Sequence, residues 1–122
     1  MRRKSRDYAF KLVYQDLFAV DNAFEKDKAL TEEENEYAQQ IFDAYQQNKT
    51  HITNQIKENL KGYELDRLYK IDLALILLAL TENFYFSVPK AVEINEILEL
   101  AKIYSTEKSP SFINGLLKEI LK

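Results

Sequence analysis

The ten residues Ile71–Leu80 (Ile-Asp-Leu-Ala-Leu-Ile-Leu-Leu-Ala-Leu) constrain this chain more than any other stretch. They hold one charge, Asp72, and neither proline nor glycine. Leu and Ala are strong helix formers. A helix that is apolar on nearly every face must be buried on nearly every face. At ten residues it falls well short of the ~20 that span a bilayer. The stretch is therefore predicted to be the central helix of a non-membrane protein, with other helices packed around it.

The 122 residues make about one domain, large enough to bury a core without covalent staples. A hydrophobic fraction of 46% and a charged fraction of 30% suit a globular chain rather than a disordered one. The chain has no cysteine, which removes disulfides, thiol catalysis and Cys-ligated zinc and fits a reducing compartment. The basic start runs into an amphipathic segment rather than an uninterrupted apolar run, so it is not a secretory signal and a cytoplasmic protein is expected. Only Gly62, Gly115, Pro89 and Pro110 break the chain. Strands and tight hairpins are disfavoured, and the expected fold class is all-α.

Charge is distributed unevenly. Residues 1–20 carry Arg2, Arg3, Lys4, Arg6 and Lys11 against Asp7 and Asp16, whereas residues 21–48 carry two lysines against eight acids. A first helix is expected from about Lys4 to Val20, with Ala9, Leu12 and Val13 on one stripe and Phe10, Tyr14 and Phe18 on a second. Arg2, Arg3, Lys4 and Arg6 crowd its positive dipole end, where each exposed cation is unfavourable by ~0.3–1 kcal/mol. Two readings stand level on the residues alone: a phosphate-binding arm, or a solvated tail whose cations do nothing.

Thr31-Glu-Glu-Glu34 has the form of a capping box, and its acids fit a helix first turn better than a metal site. Tyr37, Ile41, Tyr45, Ile52, Ile56 and Leu60 then mark one face of a single long helix, with Gly62 as its C-terminal cap. His51, the only histidine, reads as a surface residue. Residues 63–68 form a short helical turn before the central helix, which frays at Phe84-Tyr85-Phe86. Pro89, at a first helical position, and Ser109-Pro110, an N-cap and first-position pair, open two further helices. Gly115 costs ~1 kcal/mol inside the last of these, which predicts close helix packing there. No nucleophile–base pair, metal cluster or phosphate loop appears, so an enzyme has little support.

Four runs resemble the NusB family. Pro89-Lys-Ala-Val-Glu-Ile-Asn-Glu-Ile-Leu-Glu-Leu-Ala-Lys102 and Phe112-Ile-Asn-Gly-Leu-Leu117 resemble its C-terminal signature. Leu65-Asp-Arg-Leu-Tyr-Lys-Ile-Asp72 is similar to its lead into the central helix. Arg2-Arg-Lys-Ser-Arg6, followed by Ala9 and Leu12-Val-Tyr-Gln15, is similar to its arginine-rich first helix. The runs fall in family order and span most of the chain.

The resemblance implies an all-α domain of about seven helices in two small bundles, roughly residues 1–61 and 62–122. It implies a transcription antitermination factor that binds boxA-type single-stranded RNA of nascent ribosomal transcripts. The implied partner is NusE, the small-subunit ribosomal protein, within the transcription elongation complex. Neither catalysis, cofactor, metal nor membrane is expected, and a homodimer is open. On the RNA side it implies Arg2, Arg3, Lys4 and Arg6, with Lys108, Ser111 and Phe112 at the start of the last helix. On the partner side it implies Tyr14 and Asp72, the latter at the exposed end of the central helix. Asn95, Glu96 and Asn114 belong to the motif but are not assigned to binding. The chain departs from the family at Leu77, where an arginine is frequent, and at Thr81, where a tyrosine is frequent. The other reading is a NusB-like helical adaptor, in ribosomal RNA maturation or protein binding, without direct RNA contact.

Overall fold

The computed structural model describes residues 2–18, 23–62 and 64–122. Six helices follow in order: α1 (Arg3–Asp16), α2 (Glu32–Gln47), α3 (Lys49–Asn59), α4 (Lys70–Tyr85), α5 (Lys90–Tyr104) and α6 (Ser109–Ile120). A single 3-10 turn, Leu65–Arg67, precedes α4. No strand occurs among the described residues.

α4 is the centre that its sequence demands. Every residue from Asp72 to Asn83 is buried, and α4 packs against α1, α2, α3, α5 and α6. Thr81, at one departure from the family, turns its hydroxyl back to the Leu77 carbonyl at 2.8 Å. That bond satisfies the hydroxyl within the helix, so no outside partner is needed.

α1 and α2 run parallel. Ser5 Oγ donates to the Glu34 carbonyl at 2.8 Å, and eleven residues later along both helices Tyr45 donates to Asp16 Oδ2 at 2.7 Å. Parallel neighbours need a return segment, and the described part, residues 23–30, lies back along α1. Tyr8 donates to the Glu25 carbonyl and meets Phe24 edge-on at 5.9 Å. Buried Asn35 fixes the segment's end: its amide donates to the Asp27, Leu30 and Thr31 carbonyls, and its carbonyl accepts from Asp27 N. The capping box at Thr31 and Glu34 forms with both hydrogen bonds in place.

Several expectations are corrected. The long helix is two helices, broken at Asn48, whose side chain donates to the Ala44 carbonyl at 2.8 Å. Asn competes with the helical ladder in this way. The step of seven from Tyr45 to Ile52 kept the apolar stripe in phase across the break. α1 ends at Asp16 rather than Val20; Val20, like Tyr63, lies outside the described residues. α3 is capped at Leu60, and Gly62, at φ +80, is a left-handed residue beyond it. Pro89 is the N-cap of α5 rather than its first turn. A Cβ built on Gly115 meets nothing within 4 Å, so close packing does not explain that glycine.

Candidate nucleic-acid interface

The four cations at the start of α1 have different fates. Arg6 is 6% exposed. Its Nε donates to Glu82 Oε1 at 2.6 Å and its Nη2 to Oε2 at 3.0 Å. Burial alone would lower the guanidinium's pKa, but the Glu82 hydrogen bonds and charge reverse the sign and raise it. Arg6 is thus taken up by the protein's own core, which corrects its placement among the RNA-facing residues. Tyr37 joins the pair, donating to Glu82 Oε2 at 2.9 Å. Its hydroxyl is pushed up to about 12 by burial and by Glu82.

Glu93 of α5 completes this buried cluster. It is fully buried, with neither carboxyl oxygen hydrogen-bonded. Burial first, and the Glu82 charge second, push it up to about 10, so it is protonated at neutral pH. One guanidinium facing one carboxylate and one neutral acid leaves the cluster without net charge. A bare second carboxylate would be far costlier to bury.

Arg3 is exposed and pairs with Glu96 Oε2 at 3.1 Å. Exposed pairs are worth ~0–1 kcal/mol, so a phosphate can displace Glu96. Arg2 and Lys4 are exposed and form no ion pair among the described residues. Arg2 rests instead on the Tyr37 ring, 3.9 Å from its centroid. Lys4 helps hold the Glu34 carboxylate below its usual range, behind the larger effect of the Thr31 amide. The first turn of α1 contains no acid. Beside this arm a groove of about 450 Å³ opens between α1, residues 27–30 and α5. Arg3 and Lys4 line it together with Tyr8, Leu30, Leu100 and Ile103, and Asp7, Asp27, Glu96 and Glu99 line it as well.

Lys108, Ser111 and Phe112 lie elsewhere. Arg6 meets the last turns of α4 at Glu82, whereas Ser109 meets its first turn at Asp72. Ten helical residues, roughly 15 Å, separate the two. Lys108 and Ser111 are exposed, and Phe112 is half-buried against the core. Ser111, Phe112 and Gly115 line a shallow groove facing Leu60 and Lys61. The structure therefore does not gather the expected RNA residues into one spot. It places them at two ends of the central helix.

Asp72 is not at an exposed end. It is 6% exposed, accepting from the Ser105 hydroxyl at 2.5 Å and the Ser109 hydroxyl at 3.0 Å. This corrects the expectation: the carboxylate ties the α5–α6 turn to α4. Tyr14 is half-buried within an aromatic row, 6.2 Å from Phe10 and 5.1 Å from Phe18, which is 52% exposed. Tyr104 extends the row, 5.1 Å from Phe10. Asn95 is exposed and Glu96 serves Arg3. No group of His, Cys, Asp or Glu among the described residues could hold a metal ion. No helix there is long and apolar enough to cross a membrane.

Glu82, Tyr37 and Glu93 were not candidates from sequence. Glu82 had one available signal: a charge directly after a buried apolar run must find a partner.

An all-helical domain with a central buried helix and a basic, partly unpaired first turn defines a class of small helical binding proteins. The family model for the NusB family matches residues 3–122, and the chain belongs to that family. It is 37% identical to the transcription antitermination protein NusB of Clostridium botulinum, over 98% of this chain and 99% of that protein. Its structure matches T. maritima NusB with a TM-score of 0.91 at 31% identity, covering 98% of this chain and 89% of that one. It also matches a chain of the antitermination factors NusB and NusE in complex with double-stranded RNA, with a TM-score of 0.81 at 25% identity, covering 98% and 94%.

Proposed function

We propose that this chain is a transcription antitermination factor. It binds boxA-type single-stranded RNA of nascent ribosomal transcripts together with NusE, in the cytoplasm, and catalyses no reaction. The similarity to proteins named for antitermination, and to one solved with NusE and RNA, supports this reading. The observation that carries it is the unpaired state of Arg2 and Lys4. Two exposed cations at the positive end of a helix with no acid in its first turn are an unsatisfied electrostatic arrangement. A polyanion satisfies it.

RNA phosphates engage Arg2 and Lys4, with Arg3 released from Glu96. The carboxylates in the groove keep phosphates at its rim, and its apolar lining accepts bases. Lys108, Ser111 and Phe112 form a second contact for an RNA long enough to reach the other end of α4. NusE engages the aromatic row at Tyr14 and Phe18.

The test is titration of a boxA-type single strand and of a duplex control, with and without NusE, at two salt concentrations. The expected result is tighter binding of the single strand, weakened by salt and strengthened by NusE. A chain that binds NusE but no RNA in any arm would instead be a protein-binding adaptor.

A further inference from the structure

We propose that Arg2 and Tyr37 together form a base-stacking subsite, in which an unpaired nucleobase lies on the outer face of the Arg2 guanidinium while its inner face rests on the Tyr37 ring. The proposal deepens the RNA-binding reading above and rests on it.

The ring is a fixed support. Tyr37 is 8% exposed, its hydroxyl is held by Glu82 at 2.9 Å, and Phe86 meets its ring edge-on at 5.7 Å and 76°. Arg2 above it is an exposed residue, with its guanidinium carbon 3.9 Å from the ring centroid. The support matters because of what it is not. Arg3 is held by Glu96 and Arg6 by Glu82, and each carboxylate cancels the charge it positions. A neutral aromatic face positions Arg2 and leaves its charge intact.

A guanidinium is planar. It stacks on bases by its face and donates to phosphate from its edge, two things a lysine ammonium cannot combine. With its carbon 3.9 Å from the Tyr37 centroid on an exposed side chain, the guanidinium is placed for a base to lie on its solvent side and complete a three-layer stack. The ligand class is therefore an unpaired nucleotide, read by its ring plane rather than by its base identity. A base inside a duplex already has both faces covered and cannot enter.

The test uses the full chain and single-stranded RNAs carrying a fluorescent adenine analogue at successive positions, measured at two salt concentrations. In the wild-type protein, fluorescence at one position is expected to change on binding in the manner of a stacked base. Arg2→Lys keeps the charge and removes the plane. Its salt slope should match wild type, its affinity should fall roughly five- to ten-fold, and the fluorescence change should disappear. Tyr37→Leu should behave like Arg2→Lys, and Tyr37→Phe, which keeps the ring, should retain the signal. Should either Tyr37 variant unfold, Arg2→Lys at an exposed position carries the test alone. Wild-type RNA binding with an Arg2→Lys variant equal to it in affinity and fluorescence overturns the subsite and leaves the RNA reading standing. No RNA binding by the wild-type protein overturns both.

Discussion

Arg6 on α1 and Glu82 on α4 form a two-point ion pair sealed inside the protein, with donor–acceptor distances of 2.6 and 3.0 Å. It joins residues 76 positions apart, and Tyr37, which donates to the same Glu82, carries Arg2 over its ring. The arginine-rich start of the chain thus serves two ends. Arg6 anchors the helix, and Arg2, Arg3 and Lys4 face outward.

Removing the anchor strands a buried charge. Arg6→Ala is expected to destabilise the fold by about 3–5 kcal/mol, lowering the melting temperature by roughly 10 °C or more. Glu82→Gln should cost less, because Glu93 can ionise in its place and face Arg6. Thermal and urea unfolding of both variants check the order. Equal losses would show that Glu93 does not substitute.

Glu93 makes stability depend on pH with a definite sign. Its folded value lies near 10 against an ordinary 4.5, so the folded state holds a proton that the unfolded state releases. The associated stability is complete below about pH 4.5 and is lost progressively as pH rises toward 10, by up to about 1.4 kcal/mol per unit. Glu93→Gln should flatten the curve between pH 5 and pH 8 and exceed wild type at the alkaline end. Parallel curves in urea titrations would contradict this protonation.

Gly115 lies in a helix with open space around it. Gly115→Ala is expected to stabilise the chain by about 0.5–1 kcal/mol, the helix-interior difference between the two residues. A loss of stability in a denaturant titration would mean that the position is crowded after all.

Asp72→Ala leaves the Ser105 and Ser109 hydroxyls without their carboxylate acceptor. The expected cost is about 1–3 kcal/mol, read by urea unfolding. An unchanged stability would return Asp72 to the pool of partner-binding residues.

The central helix was legible because burial on every side requires apolar residues on every side, and Ile71–Leu80 has them. The capping box was legible because its hydrogen bonds are local to Thr31 and Glu34. The break at Asn48 was not, since the apolar phase passes through it undisturbed. Nor was the division among the arginines. Arg2, Arg3 and Arg6 look alike in sequence, and what separates them is Glu82 for Arg6 and, 93 positions away, Glu96 for Arg3. Asp72 was misplaced for the same reason: its serine partners lie 33 and 37 positions downstream. Charge that local pattern presents as surface becomes interior when distant helices bring a counter-charge, as Glu82 does for Arg6, or hydroxyl donors, as Ser105 and Ser109 do for Asp72.

The central claim is that Arg2 and Lys4 are the cations left over for RNA. Its most direct test is the slope of log affinity against log salt for single-stranded RNA, measured for wild type and for the double variant Arg2→Ala with Lys4→Ala. Each lost phosphate contact should reduce the slope's magnitude by about 0.7, so the pair should reduce it by roughly 1.4 while affinity falls. A double variant that binds RNA with the wild-type slope and affinity would contradict the account.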